Sequence, residues 1–332
     1  MNQDKERKGT DVPVLLTAFV RYDTANQVME ALRKIRPARL YFACDGPRNA
    51  EDVPRCEKVR SLVELVDWDC DLHTRFSAVN RTSKQGMFEA ISWFFEHEEA
   101  GIILEDDIVP SPSFFPFCEE LLHRYASDER VWAIIGNNLM TEWPVKGDDS
   151  YYFSEHGYGA YWGWASWRRV WRKFDLDMKD WPHLRDSGLL DGFFRSAAEK
   201  REAMVLLERT WDGRIPTAWD YQFDYGRVTN HALNIIPNVN LARNIGFGEL
   251  GTHTVKSTDP RNKEELHEVT FPLVHPRFMM VDQQRDMEYF RRYIRTPYFR
   301  LFKDAVKKAL PQPVSEVVTP VLSKLQRRLG ID

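Results

Sequence analysis

Apolar and polar positions alternate between two periods along the first third of the chain. VPVLLTAFV (Val12 to Val20) is an unbroken β-rich run. The next stretch places Val28, Leu32 and Ile35 at helical spacing, with Asp23 or Thr24 as the cap and Pro37 as the stop. ARLYFACDG (Ala38 to Gly46) is apolar again and ends at Asp45-Gly46. Strand, helix and strand with short links predict a βαβ unit and a parallel sheet. SLVELVDWD (Ser61 to Asp69) reads as a third strand, Lys84 to His97 as a helix with Met87, Ile91 and Phe94 on one face, and GIIL (Gly101 to Leu104) as a fourth strand. SFFPFCEELLHRYA is a helix whose cap is set by its proline. With Ser113 as the cap, Pro116 falls on the third helical residue, where an N–H has no intrahelical partner. VWAIIGNN (Val131 to Asn138) is a fifth strand.

The texture changes after Asn138. GYGAYWGWASWRRVW (Gly157 to Trp171) reads as a Gly-rich loop, with Trp167 and Trp171 four apart on a following helix. Helices are predicted over Asp191 to Glu208 and over Thr217 to His231, the latter capped by Thr217; ALNIIPN returns to strand. Asn244 to Thr254 is a Gly-rich loop. From about Asp286 the pattern is helical, broken at Pro311 and Pro313. The organisation expected is therefore a disordered N-terminus over 1–11, an α/β half over 12–138, a second half of the same domain over 139–285, and a basic helical tail over 286–332.

Composition narrows the class. The chain has 332 residues, 43% hydrophobic and 29% charged, which is soluble and globular. Its net charge of -4 is uneven: Arg291 to Asp332 holds ten Lys and Arg against three Asp and Glu, so the remainder is acidic. That acidic body, without a recognised motif, argues against nucleic-acid binding. Cys44, Cys56, Cys70 and Cys118 form no CxxC or metal-ligand spacing, so reduced thiols in a reducing compartment are expected. Neither a secretory signal nor a membrane-length apolar run is present, so the expected location is the cytoplasm. The tail mixes Tyr, Phe and Leu with Arg and Lys. It suits either peripheral contact with the inner face of an anionic membrane or packing on the domain.

One stretch carries chemistry. GIILEDDIVPSPSFF drives an apolar strand into Glu105, Asp106 and Asp107. At 4 Å, like charges repel by about 4 kcal/mol at an effective dielectric near 20. Water at a solvated strand end relieves this, as does an opposite charge, a raised pKa or a divalent cation. Carboxylate oxygens suit Mg²⁺ or Mn²⁺. In open α/β sheets ligands sit at the carboxyl ends of strands, which is where these acids and Asp45 fall.

ILEDDIVPSPSFFPF resembles the metal-binding segment of GT-A glycosyltransferases, in particular bacterial relatives of the animal N-acetylglucosaminyltransferase I family. The likeness runs in order over roughly Pro13 to Thr254. It implies a Rossmann-like mixed sheet flanked by helices and a nucleotide-diphosphate donor, a UDP-sugar. By the same resemblance Arg21 contacts the nucleotide, Asp45 holds the uracil, and Arg81 and Gly86 of NRTSKQG belong to a donor-binding loop. Glu105 and Asp106 face the sugar and ribose, and Asp107 binds the metal, Mn²⁺ or Mg²⁺. GAYWGWASW resembles a Gly-Trp segment near sugar and acceptor, which makes Trp162 and Trp164 candidates for the acceptor floor; core packing is the alternative. TAWDYQF resembles a Trp-Asp segment whose aspartate is the catalytic base, although that motif holds two adjacent acids where this chain has Asp220-Tyr221. Asp220 and Asp224 share a helix face, and either suits the role. His253 of LGTHT resembles a late metal ligand.

The function expected is transfer of a sugar to a hydroxyl of a glycan or lipid-linked glycan, with inversion. A sugar-nucleotide pyrophosphorylase shares nucleotide, metal and sheet, but no Gly-rich, basic triphosphate loop follows VPVLLTAFV. A glycoside hydrolase uses paired carboxylates without metal or nucleotide. A nucleotide-sugar-binding protein without turnover is the non-catalytic alternative.

Overall fold

A computed structural model describes residues 9–145, 147–155, 161–246, 265–296, 318 and 320–321. The tail's basic stretch beyond residue 296 and residues 1–8 lie almost wholly outside them. The elements run β1 (Val14–Ala18), α1 (Tyr22–Ile35), β2 (Arg39–Cys44), α2 (Asp52–Arg60), β3 (Asp71–Phe76), α3 (Thr82–His97), β4 (Ala100–Glu105), β5 (Ile108–Pro110), α4 (Phe114–Arg124) and β6 (Val131–Ile135). Then come β7 (Tyr151–Ser154), β8 (Trp164–Trp167), α5 (Arg168–Trp171), α6 (Trp181–Asp186), α7 (Ala197–Trp211), α8 (Asp220–Thr229), β9 (Leu233–Pro237), β10 (Ala242–Asn244) and α9 (Gln283–Tyr289).

Eight strands form one mixed sheet in the order β3-β2-β1-β4-β8-β6-β9-β7, flanked by helices. β1, β2, β3 and β4 are parallel, and β8 runs antiparallel between β4 and β6. β9 is parallel to β6, and β7 closes the edge antiparallel to β9. β4 and β6 therefore point the same way, and the carboxyl ends of β1, β2, β4, β6 and β9 share one edge. β1 and β4 are buried on both faces, as their continuous apolar runs require.

The two halves read from the sequence interleave, since β8 of the second half lies between β4 and β6 of the first. The N-terminal boundary also moves. Thr10 is buried, its hydroxyl donates to Glu119 at 3.0 Å, and its carbonyl accepts from the Ala38 N–H at 3.1 Å, so 9 and 10 are packed while Asp11 is exposed.

Three segments differ from the pattern. Ser61–Leu65 is a 3₁₀ turn that continues α2, and the third strand is Asp71–Phe76. α2 carries Pro54 as its third residue, where proline costs no helical bond. β3 lies at the sheet edge and is mostly exposed, so it carries no apolar signature. WASW, read as loop and helix, is the buried strand β8. α7 begins at Ala197, six residues later than the pattern placed it, because Ser196 caps it by accepting from the Glu199 N–H at 3.1 Å.

Two apolar clusters carry the fold. The larger fills both sides of the sheet; the smaller joins α6, α7 and α8 through Trp181, Leu207 and Tyr225. α8 reaches the sheet closely because residue 226 is glycine. A Cβ there would lie 2.8 Å from the Trp132 ring of β6. That approach fixes the start of α8 over the carboxyl edge of the sheet. No helix among the described residues is long and apolar enough to cross a membrane.

Candidate active site

A cavity of about 970 Å³ opens at that edge. Its walls are the ends of β1, β2 and β4, the start of α3, the turn at Tyr161-Trp162, and the segment from Arg214 to Tyr221 that leads into α8. Arg21, Asp45, Gly86, Glu105, Asp106, Asp107, Trp162 and Asp220 all line it. These candidates lie far apart in the chain, and the sheet brings them together.

Arg21 follows β1 and sits at the N-cap position of α1. Its guanidinium bonds to the acids at the end of β4. Nη1 donates to Asp107 Oδ2 at 2.7 Å, and Nη2 donates to Asp106 Oδ1. Burial alone would lower the Arg21 pKa, but the two carboxylates outweigh it and hold it above its ordinary value. Asp106 also accepts from the Phe19 N–H at 3.2 Å, so both its oxygens are bonded. Burial pushes the Asp106 carboxyl up to about 6, with Arg21 opposing.

Glu105 and Asp107 are less satisfied. The carboxylate of half-buried Glu105 has no hydrogen bond or ion pair among the described residues. Burial pushes its pKa well above the usual carboxylate value, and the charge of Asp107 adds to this. Asp220 is close enough to contribute in the same direction. Asp107 spends Oδ2 on Arg21, and its Oδ1 has no partner among the described residues. Glu105, Asp106, Asp107 and Asp220 thus share one cavity with Arg21.

No group of three or more His, Cys, Asp and Glu among the described residues forms a metal cage. Mg²⁺ and Mn²⁺ do not require one, since such ions bind through one or two carboxylates together with substrate phosphates. Glu105 and the Oδ1 atom of Asp107 present hard oxygens that fit such an ion. His253 lies outside the described residues.

The other end of the cavity is held by Asp45. Its carboxylate accepts from the Gly46 N–H at 2.8 Å, the Arg81 N–H at 2.9 Å and Asn80 Nδ2 at 2.9 Å. Burial nevertheless leaves its pKa raised. Gly86 faces it, and a Cβ at 86 would sit 3.4 Å from Asp45 Oδ2. Arg60 braces this corner from α2, donating to the carbonyls of Ser77 at 2.6 Å and Asp45 at 3.3 Å.

Three candidates fall outside the cavity wall. Arg81 contacts Asp45 through its backbone only; its guanidinium turns to Glu89, with Nε at 3.0 Å. Trp164 is 0% exposed on β8 and stacks on Trp219 with ring centres 5.6 Å apart, so it has no face for an acceptor. Asp224 is 2% exposed and receives Arg227 Nε at 2.7 Å, Arg227 Nη2 at 3.0 Å and the Tyr161 hydroxyl at 3.1 Å. It supports Tyr161 from beneath. Only Asp220 of the helical pair reaches the cavity, because the cavity meets the first turn of α8 alone. α8 starts at Asp220 rather than at Thr217, with Trp219 at the cap.

Several wall residues were not singled out in the sequence. Tyr161 and Trp219 give aromatic surface beside Trp162 and Asp220, and Asn80 ties Asp45 to the loop before α3. Asn244 fixes the opposite lip by accepting from the Gly246 N–H at 2.7 Å, while the Ile245 N–H donates to the Asp107 carbonyl at 2.8 Å. Such roles depend on contacts between distant segments, and short polar motifs carry no trace of them.

No protein-family model and no curated protein matches the chain. Among solved structures, it is similar to the apo structure of the bifunctional glycosyltransferase WbbM, with 11% identity, a TM-score of 0.31, and coverage of 69% of this chain and 38% of that one. It is also similar to the inositol-1-phosphate CTP transferase from T. maritima, with 11% identity, a TM-score of 0.32, and coverage of 56% and 84%. The glycosyltransferase GlyE of Streptococcus pneumoniae TIGR4 has 10% identity and a TM-score of 0.26, with 86% and 66% covered. Likenesses this loose attach the chain to no reaction.

Proposed function

We propose that the chain is a metal-dependent glycosyltransferase of the GT-A type, allied in motif order to N-acetylglucosaminyltransferase I. It transfers a sugar from a UDP-sugar to a hydroxyl of a glycan or lipid-linked glycan, with inversion. The observation that carries this reading is the meeting of the Glu105-Asp106-Asp107 triplet and Asp220 in one cavity whose far end holds Asp45.

In this reading Asp45 and the Gly86 loop receive the uracil, Asp106 and Glu105 face ribose and sugar, and Asp107 holds Mn²⁺ or Mg²⁺ with Glu105 beside it. The bound ion supplies positive charge to a diphosphate leaving group. Asp220 takes the proton of the acceptor hydroxyl, a task that needs a carboxylate within about 3 Å of that oxygen. Asp220 stands on the first turn of α8. Trp162, half-buried on the same wall, offers an apolar face to a sugar ring. Calorimetric titration with a panel of nucleotide sugars, with and without Mn²⁺, tests the reading. Mn²⁺-dependent binding of a UDP-sugar is expected; indifference to every nucleotide would remove it.

A further inference from the structure

Arginines are plentiful around the cavity, but most are occupied elsewhere. Arg48 binds Asp52, Arg75 lies 3.6 Å from Glu89, and Arg214 binds Asp212. Arg21 is the cavity arginine bonded to the β4 acids among the described residues. Its two bonds are not equivalent. Asp106 is held from two sides, by Arg21 and by the Phe19 N–H. The Asp107 carboxylate has Arg21 as its one hydrogen-bond partner among the described residues.

The surroundings of the Arg21–Asp107 contact are also particular. Gly246 packs directly on it, and a Cβ there would lie 2.1 Å from Asp107 Oδ2 and 2.7 Å from Arg21 Nη1. The lip that carries Gly246 is bonded to the Asp107 backbone through Ile245. At residue 246 it is therefore backbone, not a side chain, that lies against the pair.

A divalent ion on Asp107 would lie against a guanidinium of the same sign, in a site partly withdrawn from water, where repulsion is poorly screened. The displaced N–H donors then need an acceptor, and a diphosphate provides one with fork geometry suited to arginine. We propose that Arg21 is a displaceable internal counter-ion. It stays anchored on Asp106, yields Asp107 to the cation, and turns Nη1 to the diphosphate of the donor. Cation and nucleoside diphosphate then bind together and each poorly alone. This inference rests on the glycosyltransferase reading and adds a role for Arg21 that charge neutralisation of the nucleotide alone does not require.

The test is Mn²⁺ binding to the full chain, followed by electron paramagnetic resonance of the free ion, with and without UDP. Wild type is expected to bind Mn²⁺ alone weakly and at least tenfold more tightly with UDP. Arg21→Met and Arg21→Gln, each checked for folding by thermal unfolding, are expected to bind Mn²⁺ alone at least tenfold more tightly than wild type and to gain less than threefold from UDP. Unchanged or weaker binding of Mn²⁺ alone in a folded variant overturns the exchange. If wild type binds Mn²⁺ with UDP while the variants behave as wild type does, the exchange alone is lost. If wild type binds neither partner under any condition, the glycosyltransferase reading is lost with it.

Discussion

Arg227 and Asp224 form a two-point ion pair beneath the cavity floor, with side chains 1% and 3% exposed and N–O distances of 2.7 and 3.0 Å. One helical turn earlier, Asp220 lies on the cavity wall. Two acids that the sequence presents as equals are thus divided by depth. One is structural and holds Tyr161, and the other faces the space where an acceptor hydroxyl would enter.

This division predicts opposite phenotypes. Asp224→Ala removes the two-point carboxylate of the buried Arg227 ion pair and is expected to lower stability by about 3–5 kcal/mol. Denaturant titration reads that loss. Asp220→Asn is expected to keep its unfolding midpoint and nucleotide affinity while turnover falls about 100-fold or more. Normal turnover in the asparagine variant would remove Asp220 from the reaction.

The tryptophans separate in the same way. Trp164 is enclosed by Tyr161, Trp219 and Phe223, with ring centres 5.0–5.7 Å away. Trp164→Ala is expected to cost about 3–5 kcal/mol of stability. Trp162→Ala is expected to raise the KM for acceptor several-fold with little effect on unfolding. Comparing acceptor KM with the unfolding midpoint for both variants checks the assignment.

Glu105 bears on pH. Its folded-state pKa is raised, first by burial and then by Asp107, so above 4.5 the folded protein binds a proton there more tightly than the unfolded chain does. Stability is then lost as pH rises from the ordinary value of 4.5 through the folded pKa. Glu105→Gln removes that cost. In chelator, the variant is expected to melt above wild type at pH 8, with the difference shrinking as pH falls toward 4.5. Equal melting temperatures at pH 8 would show that the Glu105 charge is already compensated.

Much of the architecture was legible because burial imposes period and composition together. β1, β2, β4 and β6 are continuous apolar runs, and α4 begins directly after Ser113 with a proline on its third residue, although the Ser113 hydroxyl accepts from the Val269 N–H rather than capping the helix. α2 and β3 were not legible, the second lacking apolar residues at an edge. β8 was hidden because its two tryptophans and neighbouring glycine suggested a loop. At the site, the acid triplet and Asp220 were visible as residue types at element ends. Depth was not visible, and depth is what separates Trp162 from Trp164 and Asp220 from Asp224. Nor does local sequence tell that Arg21 reaches across 85 residues of chain to Asp106.

The most direct test of the central claim is turnover of a UDP-sugar by the full chain after exhaustive chelation, by its Mn²⁺-restored form, and by Asp107→Ala. Turnover is expected to vanish on chelation, to return with Mn²⁺, and to stay absent in Asp107→Ala at any Mn²⁺ concentration that saturates wild type. Undiminished turnover in chelator, or full Mn²⁺ rescue of the alanine variant, would contradict a cation held at Asp107.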